Sequence, residues 1–170
     1  SREQRIAEYK EYVKYFDGEF ISDNNIKCDL PLDFESKLDL FPRAQLVKNF
    51  EVILATVQPD TLMIMGPSFH HDHTIAYEAL IAATRPTIKN RITKIILMEN
   101  ATYSHQPYSY PSPNIFSEMT SEELDWKSNL FKSLFPSQIR PDATALSIKG
   151  LRDWSHYRGV QAQMEYAEAF

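Results

Sequence analysis

The order of apolar and polar positions along the chain predicts helices that alternate with strands. Apolar residues recur at helical spacing from Arg2 to Phe16 and from Pro42 to Val57, which predicts two amphipathic helices. The continuous apolar runs Thr61 to Met65 and Arg91 to Met98 are typical of strands buried on both faces. A helical pattern from Thr74 to Thr84 lies between these runs, so the three segments predict a parallel strand-helix-strand crossover.

Three segments between these elements lack a regular helical pattern. Glu19 to Ser22 predicts a short strand, and residues 26 to 41 predict an irregular connection pinned by scattered apolar side chains. Glu99 to Ser117 is rich in tyrosine and proline, which predicts a long loop after the second strand. Such a loop suits the wall of a ligand site, because aromatic faces stack on sugar rings, and it is equally typical of a surface loop over a sheet edge.

The last third of the chain predicts two further helices. Thr120 and Glu123 form a capping-box pattern at the start of a helix that runs to Phe135. The segment Trp154 to Phe170 predicts a closing helix. We expect its inner face to carry Tyr157, Val160, Met164 and Ala167.

Composition is compatible with a single domain over residues 1 to 170. The chain has 170 residues, of which 43% are hydrophobic and 24% charged, enough for one domain with its own core. The net charge of -5 and the lack of a basic stripe argue against a nucleic-acid partner. Only four glycines are present, and they form neither a dinucleotide fingerprint nor a phosphate-binding loop.

Cysteine usage and hydropathy indicate the compartment. Cys28 is the only cysteine, so the chain cannot form an intrachain disulfide. No apolar stretch approaches the length of a membrane span, and no secretory signal pattern opens the sequence. We therefore expect a cytoplasmic protein without a membrane span.

A polar cluster, His70-His71-Asp72-His73, follows the apolar run that ends at Met65. In open α/β sheets the chemistry lies at the carboxyl ends of the strands, which is where this cluster falls. One imidazole could bind a divalent metal while another moves a proton. Alternatively, the histidines are solvated surface residues and Asp72 is only the N-cap of the following helix.

Three segments of the chain resemble one enzyme family. His70 to Ala79 resembles the HPDH-plus-helix motif of the LmbE-like, or PIG-L-type, zinc-dependent de-N-acetylases. Lys127 to Gln138 resembles that family's lysine-bearing helix and its Ser-Gln pair. Arg158-Gly159 followed by Tyr166 to Phe170 resembles its closing RG…YAEAF signature, and the three segments occur in the family's order.

The resemblance implies a fold, a cofactor and a chemistry. It implies a three-layer α/β/α sandwich with a mainly parallel, Rossmann-like sheet, and zinc or another divalent metal as cofactor. His73 would be a metal ligand, His70 the catalytic imidazole that helps the amine depart, and Asp72 the catalytic carboxylate that orients or charge-stabilises a histidine. The substrate would be a small N-acetylglucosaminyl conjugate, although no substrate-binding residue is assigned. His71 stands where the family usually has proline.

The sequence lacks one motif of the family pattern. The family's other zinc ligands and its general base come from an HPDD-type motif after the first strand, and the 170 residues contain no such motif. We expect a fragment that lacks N-terminal strands, ahead of the alternatives of a second polypeptide or a degenerate relative. The competing hypothesis is a non-catalytic relative that binds a carbohydrate or a partner enzyme. The oligomeric state is open, and a homo-oligomer is compatible with the sequence.

Overall fold

The fold is mixed α/β in a computed structural model that describes residues 2–19, 37–85, 92–100 and 112–170. These residues contain five α-helices and two small sheets of two strands each. The chain divides into two compact units, one formed by Ser1–Phe20 with Pro111–Phe170 and the other by Ile21–Tyr110. Within the described residues, no helix is both long enough and apolar enough to cross a bilayer.

The unit Ile21–Tyr110 contains the predicted strand-helix-strand crossover. Its described helices and strands in chain order are α2 (Arg43–Val57), β1 (Thr61–Met65), α3 (His71–Ala83) and β2 (Lys94–Met98). The strands β1 and β2 pair in parallel, which confirms the predicted parallel arrangement. Thr61 is opposite Lys94 and Met65 is opposite Met98.

The core of this unit lies between α2 and α3. Leu46 on α2 and Ala79 on α3 are buried against each other. Partly buried side chains surround them, namely Leu38, Phe41, Val47, Phe50 and Ile75. Helix α2 begins directly after Pro42, as predicted, because a fixed φ near −65° suits a helix start and Pro has no N–H to satisfy there.

The strand burial differs from the prediction of strands covered on both faces. In β1 only Ile64 is buried, whereas Met63 is 53% exposed. In β2 Ile95 is 39% exposed. An apolar run identifies the strand because its side chains favour extended backbone, but the run does not fix which faces other elements cover.

The second unit contains the helix α1 (Arg2–Tyr15) and the C-terminal elements. Those elements are β3 (Phe116–Met119), α4 (Ser121–Leu134), α5 (Ile148–Ala162) and β4 (Tyr166–Ala169). The strands β3 and β4 pair antiparallel, and Leu124, Ala167 and Ala169 are buried. The alternating burial along β4 is the pattern of a strand with one covered face.

The predicted capping box starts α4. The hydroxyl of Thr120 accepts a hydrogen bond from the Glu123 N–H at 3.2 Å. The Glu123 carboxylate in turn accepts from the Thr120 N–H at 2.8 Å. Two N–H groups that a helix start leaves unsatisfied are thereby paired, which confirms the helix predicted from Thr120 to Phe135.

The predicted closing helix from Trp154 to Phe170 is wrong at both ends. Helix α5 starts earlier, at Ile148, and ends at Ala162, after which Gln163 adopts a left-handed conformation with φ 61°. The chain then reverses into β4, because residues 166–169 pair with β3 instead of extending the helix. The expected inner face is wrong for Tyr157, which is 49% exposed, and for Val160, which is 61% exposed, whereas Ala167 is buried but lies on β4.

The predicted loops fall largely outside the described residues. Glu19 is described and is not in a strand, and the rest of the predicted strand to Ser22 lies outside. Of residues 26 to 41, only 37–41 are described, and they contain a 3-10 turn at Leu38–Leu40. Only the two ends of the predicted aromatic loop are described. Its last residues, Phe116 and Ser117, belong to β3.

Candidate functional site

The histidine cluster forms the start of α3, directly after β1. His70 is the N-cap, with an extended backbone at φ −78° and ψ 117°, and the helix begins at His71 instead of at Thr74. The His70 carbonyl accepts hydrogen bonds from the N–H groups of His73 at 3.0 Å and Thr74 at 3.4 Å. The first helical turn therefore holds the cluster in a fixed backbone geometry.

That turn brings His70 and His73 together. Their rings are stacked, with centroids 4.8 Å apart and planes inclined by 22°. Residues three apart at a helix start lie on the same side, so the spacing itself accounts for the contact. His71 falls between them and is exposed.

Asp72 links the cluster to a distant part of the same unit. Its Oδ1 accepts a hydrogen bond from the Leu38 N–H at 2.8 Å. Its Oδ2 lies 3.9 Å from His70 Nδ1, which is ion-pair distance when His70 is protonated. The N-cap interpretation of Asp72 is wrong, because His70 occupies that position and Asp72 lies within the first turn of the helix. A carboxylate there also interacts favourably with the helix dipole.

Ser68 is a site residue that the sequence pattern did not reveal. Its hydroxyl oxygen lies 2.7 Å from His73 Nδ1 and accepts a hydrogen bond from the His70 N–H at 3.1 Å. Ser68 is only 8% exposed. A serine two residues before a histidine carries no distinctive signal, so only the folded turn shows the contact.

The environment favours a neutral His73. Burial lowers the pKa of the His73 imidazole below its usual value, and the neighbouring His70 lowers it further. The carboxylate of Asp72 opposes this shift without cancelling it. A neutral imidazole is the form that ligates a metal or accepts a proton.

The described residues supply one imidazole of a metal site and do not complete the site. His73 suits a ligand, because one ring nitrogen is hydrogen-bonded to Ser68 and metal-bound histidines usually have their second nitrogen held in this way. Among residues 2–19, 37–85, 92–100 and 112–170, however, no group of three or more His, Cys, Asp or Glu side chains could hold a metal ion. A catalytic zinc site usually takes three protein ligands.

The other family-like segments lie in the unit that contains α4 and α5. Lys127 on α4 forms an ion pair with Glu168 on β4. The hydroxyl and N–H of Ser137 both donate to Glu8 on α1, and the Gln138 side-chain amide donates to the Ser137 hydroxyl at 3.1 Å.

Arg158 on α5 is also buried in this unit, at 8% exposure. Its guanidinium lies 4.9 Å from the ring centroid of Trp154 and 5.2 Å from that of Tyr157. Such cation-π contacts partly offset the loss of water around a buried charge. Within its own unit, Arg158 therefore has a packing role that does not depend on any ligand.

Comparison with known proteins identifies the fold only. No protein-family model matches the chain, and no curated protein matches it either. Among solved structures, the chain is similar to the crystal structure of the conserved protein TT1542 from Thermus thermophilus, with a TM-score of 0.60 and 17% sequence identity. The similarity covers 100% of this chain and 73% of that one. The two proteins share a mixed α/β fold, and this similarity by itself assigns no activity.

Proposed function

We propose that this protein is a metal-dependent hydrolase that removes the N-acetyl group from an N-acetylglucosaminyl-type substrate. The observation that supports the proposal most directly is the stacked pair His70 and His73 at the strand-to-helix turn, with His73 Nδ1 held by Ser68. The proposal includes a three-layer α/β/α sandwich with a Rossmann-like sheet. The parallel pairing of β1 with β2 supports that architecture.

His73 and His70 take different roles in the proposal. His73 is the metal ligand, because its lowered pKa favours the neutral ring and because its Nε2 points away from Ser68. His70 is the proton donor, since its ring stacks on that of His73 and its Nδ1 lies 3.9 Å from Asp72 Oδ2. Asp72 also orients the turn through its bond to the Leu38 N–H.

A bound zinc ion would polarise the acetyl carbonyl and lower the pKa of a water molecule. Because the described residues offer only His73 in a suitable position, the proposal requires further ligands and a general base from residues outside the described ones. By the family resemblance, these would be a histidine and a carboxylate on zinc and a second carboxylate as base. Together with His73, the added histidine and carboxylate would give zinc three protein ligands and leave an open position for a water molecule.

Metal content and acetate release test the proposal. Both are measured on the 170-residue chain and on any longer natural polypeptide that contains it, with an N-acetylglucosaminyl glycoside as substrate. We expect His73→Ala to lower zinc occupancy, and His70→Ala to keep zinc but lower turnover by about 10²- to 10⁴-fold. His71→Ala is the matched control, because His71 is an exposed imidazole in the same turn.

Three outcomes would each contradict one part of the proposal. Unchanged metal content in His73→Ala would show that the ligand assignment is wrong. Stoichiometric zinc and full turnover in the 170-residue chain alone would show that no residues beyond it are required. Carbohydrate binding without acetate release in the complete polypeptide would favour the non-catalytic relative instead.

A further inference from the structure

We propose that Ser68 is a positioning residue that sets which nitrogen of the His73 ring faces the reacting groups and fixes this ring relative to His70. The inference rests on the proposed function for its catalytic meaning, because His73 is there the metal ligand. The orientation of the His73 ring, which the inference concerns, can be measured without any metal or substrate.

The contacts of Ser68 carry the argument. Its hydroxyl oxygen is 2.7 Å from His73 Nδ1 and 3.1 Å from the His70 backbone nitrogen. Its carbonyl accepts a hydrogen bond from the Thr74 hydroxyl at 3.0 Å, which ties the serine backbone to the helix. Ser68 is 8% exposed, so water has little access to compete for these bonds.

The hydrogen-bonding capacity of a hydroxyl explains why serine suits this position. A serine hydroxyl has one proton to donate and two lone pairs that accept. One lone pair takes the His70 N–H. The proton and the second lone pair remain, so the hydroxyl can either donate a hydrogen bond to His73 Nδ1 or accept one from it.

Both cases leave the ring in the same orientation. Nδ1 is directed at Ser68, and Nε2, on the far side of the imidazole, points away from it. A His73 ring that held a metal through Nε2 would carry its proton on Nδ1, and the Ser68 oxygen is placed to accept a hydrogen bond from that N–H. The serine therefore suits the tautomer that ligation would require.

The same oxygen couples the two histidines. It holds the backbone of His70 and the ring of His73, and the two rings have centroids 4.8 Å apart. Replacing Ser68 by Ala removes both bonds at once. We therefore expect the two imidazole rings to be held less firmly relative to each other. This should weaken metal binding by His73 and lower the stability of the protein.

Imidazole ¹⁵N NMR of the metal-free protein is the primary test. In the parent protein we expect the Nδ1 signal of His73 to show the hydrogen bond to Ser68. Ser68→Ala should shift that signal, and Ser68→Thr, which keeps the hydroxyl, should keep the parent signal. Thr74→Val is the matched control, because it removes the Thr74 bond to the Ser68 carbonyl without touching an imidazole.

Titration with zinc is the second readout, made on a polypeptide whose parent form binds zinc. Loss of such a supporting hydrogen bond typically weakens metal affinity by about 10- to 100-fold, so we expect that loss in Ser68→Ala and recovery in Ser68→Thr. If Ser68→Ala does not fold, Ser68→Cys serves in the NMR test only, since its thiol forms weak hydrogen bonds and would itself be a zinc ligand in the titration.

The outcomes separate this inference from the proposed function. Identical His73 ring signals in the parent and in Ser68→Ala would overturn the positioning role. A changed His73 ring signal in Ser68→Ala would leave the positioning of His73 by Ser68 intact even if no variant bound zinc, and a lack of zinc binding in a longer natural polypeptide as well would count against the metal-dependent function. A spectrum altered as strongly by Thr74→Val as by Ser68→Ala would reduce Ser68 to a general structural contact and would also overturn the inference.

Discussion

Glu8 on α1 accepts two hydrogen bonds from Ser137, a residue 129 positions further along the chain. The Ser137 N–H donates to one carboxylate oxygen at 3.0 Å, and the Ser137 hydroxyl donates to the other at 2.5 Å. Among the side chains of residues 3–15, only Glu8 is buried, at 7% exposure, whereas Tyr9 and the following Phe16 are about half exposed. The Glu8 carboxylate thus connects α1 by hydrogen bonds to the turn that follows α4.

This contact predicts a pH dependence of stability. The hydrogen bond from the Ser137 hydroxyl is the main cause that lowers the pKa of Glu8 below its usual 4.5. Because the folded state favours the ionised form, the stabilisation is complete above the unfolded pKa and is lost as pH falls through the lower folded value.

Urea unfolding between about pH 6 and pH 3 measures this effect, because the carboxylate is protonated across that range. We expect Glu8→Gln to be less stable than the parent near neutral pH and to lose less stability on acidification. Glu11→Gln, at an exposed position of the same helix, is the control and should keep the parent pH dependence. Parallel pH curves for the parent and Glu8→Gln would contradict the prediction.

Asp72 predicts a difference between two substitutions. Asp72→Asn keeps an oxygen that can accept from the Leu38 N–H, whereas Asp72→Ala leaves that N–H without its acceptor. A lost acceptor of this kind costs about 1–3 kcal/mol, so Asp72→Ala should be less stable than Asp72→Asn by about that amount. Chemical denaturation measures the difference, and equal stabilities would show that the 2.8 Å bond contributes nothing.

Gly159 predicts a steric effect. A Cβ atom at this position would lie 2.6 Å from the carbonyl oxygen of Glu165 and 2.8 Å from the Cα of Tyr166. Gly159→Ala should therefore push α5 away from the segment that leads into β4 and destabilise the protein by at least about 1–3 kcal/mol. Gly18→Ala is the comparison, because its closest contacts, a side-chain methyl of Val13 at 3.0 Å and the Val13 carbonyl oxygen at 3.1 Å, are less severe than those at Gly159. Thermal unfolding that ranks the two variants the other way would refute the steric argument.

Two buried residues on α4 predict opposite effects of substitution by alanine. Leu124 is fully buried at 0% exposure, so Leu124→Ala should cost about 2–5 kcal/mol through the cavity it leaves. Ser128 is 5% exposed, and its hydroxyl has no hydrogen-bond partner within the described part of the chain. Ser128→Ala should leave stability unchanged or raise it by up to about 1 kcal/mol. A large loss in Ser128→Ala, measured by denaturation, would indicate a partner for this hydroxyl.

Sequence reasoning worked where the signal is local. Pro42 and the Thr120-to-Glu123 capping box mark helix starts because they act on backbone groups within one turn. The apolar run from Thr61 to Met65 and the apolar core of the second strand predicted a parallel pair, which β1 and β2 form. The histidine cluster was also visible, since its residues are adjacent in the chain.

Sequence reasoning failed where distant segments decide the conformation. Residues 166–169 fit a helical pattern but form β4, because the much earlier strand β3 offers them hydrogen-bond partners. Helix α3 starts at His71 and not at Thr74, since the His70 carbonyl accepts the first helical hydrogen bonds, from the N–H groups of His73 and Thr74.

The sequence by itself therefore determined the starts of α2 and α4, the parallel strand pair and the presence of two histidines three positions apart. Only the tertiary structure decided that Ser68 holds the ring of His73, that Asp72 receives the Leu38 N–H and that Glu8 receives Ser137. The physical reason is that a hydroxyl or carboxylate can bond any donor or acceptor the fold brings within about 3 Å, and its residue type does not specify which one.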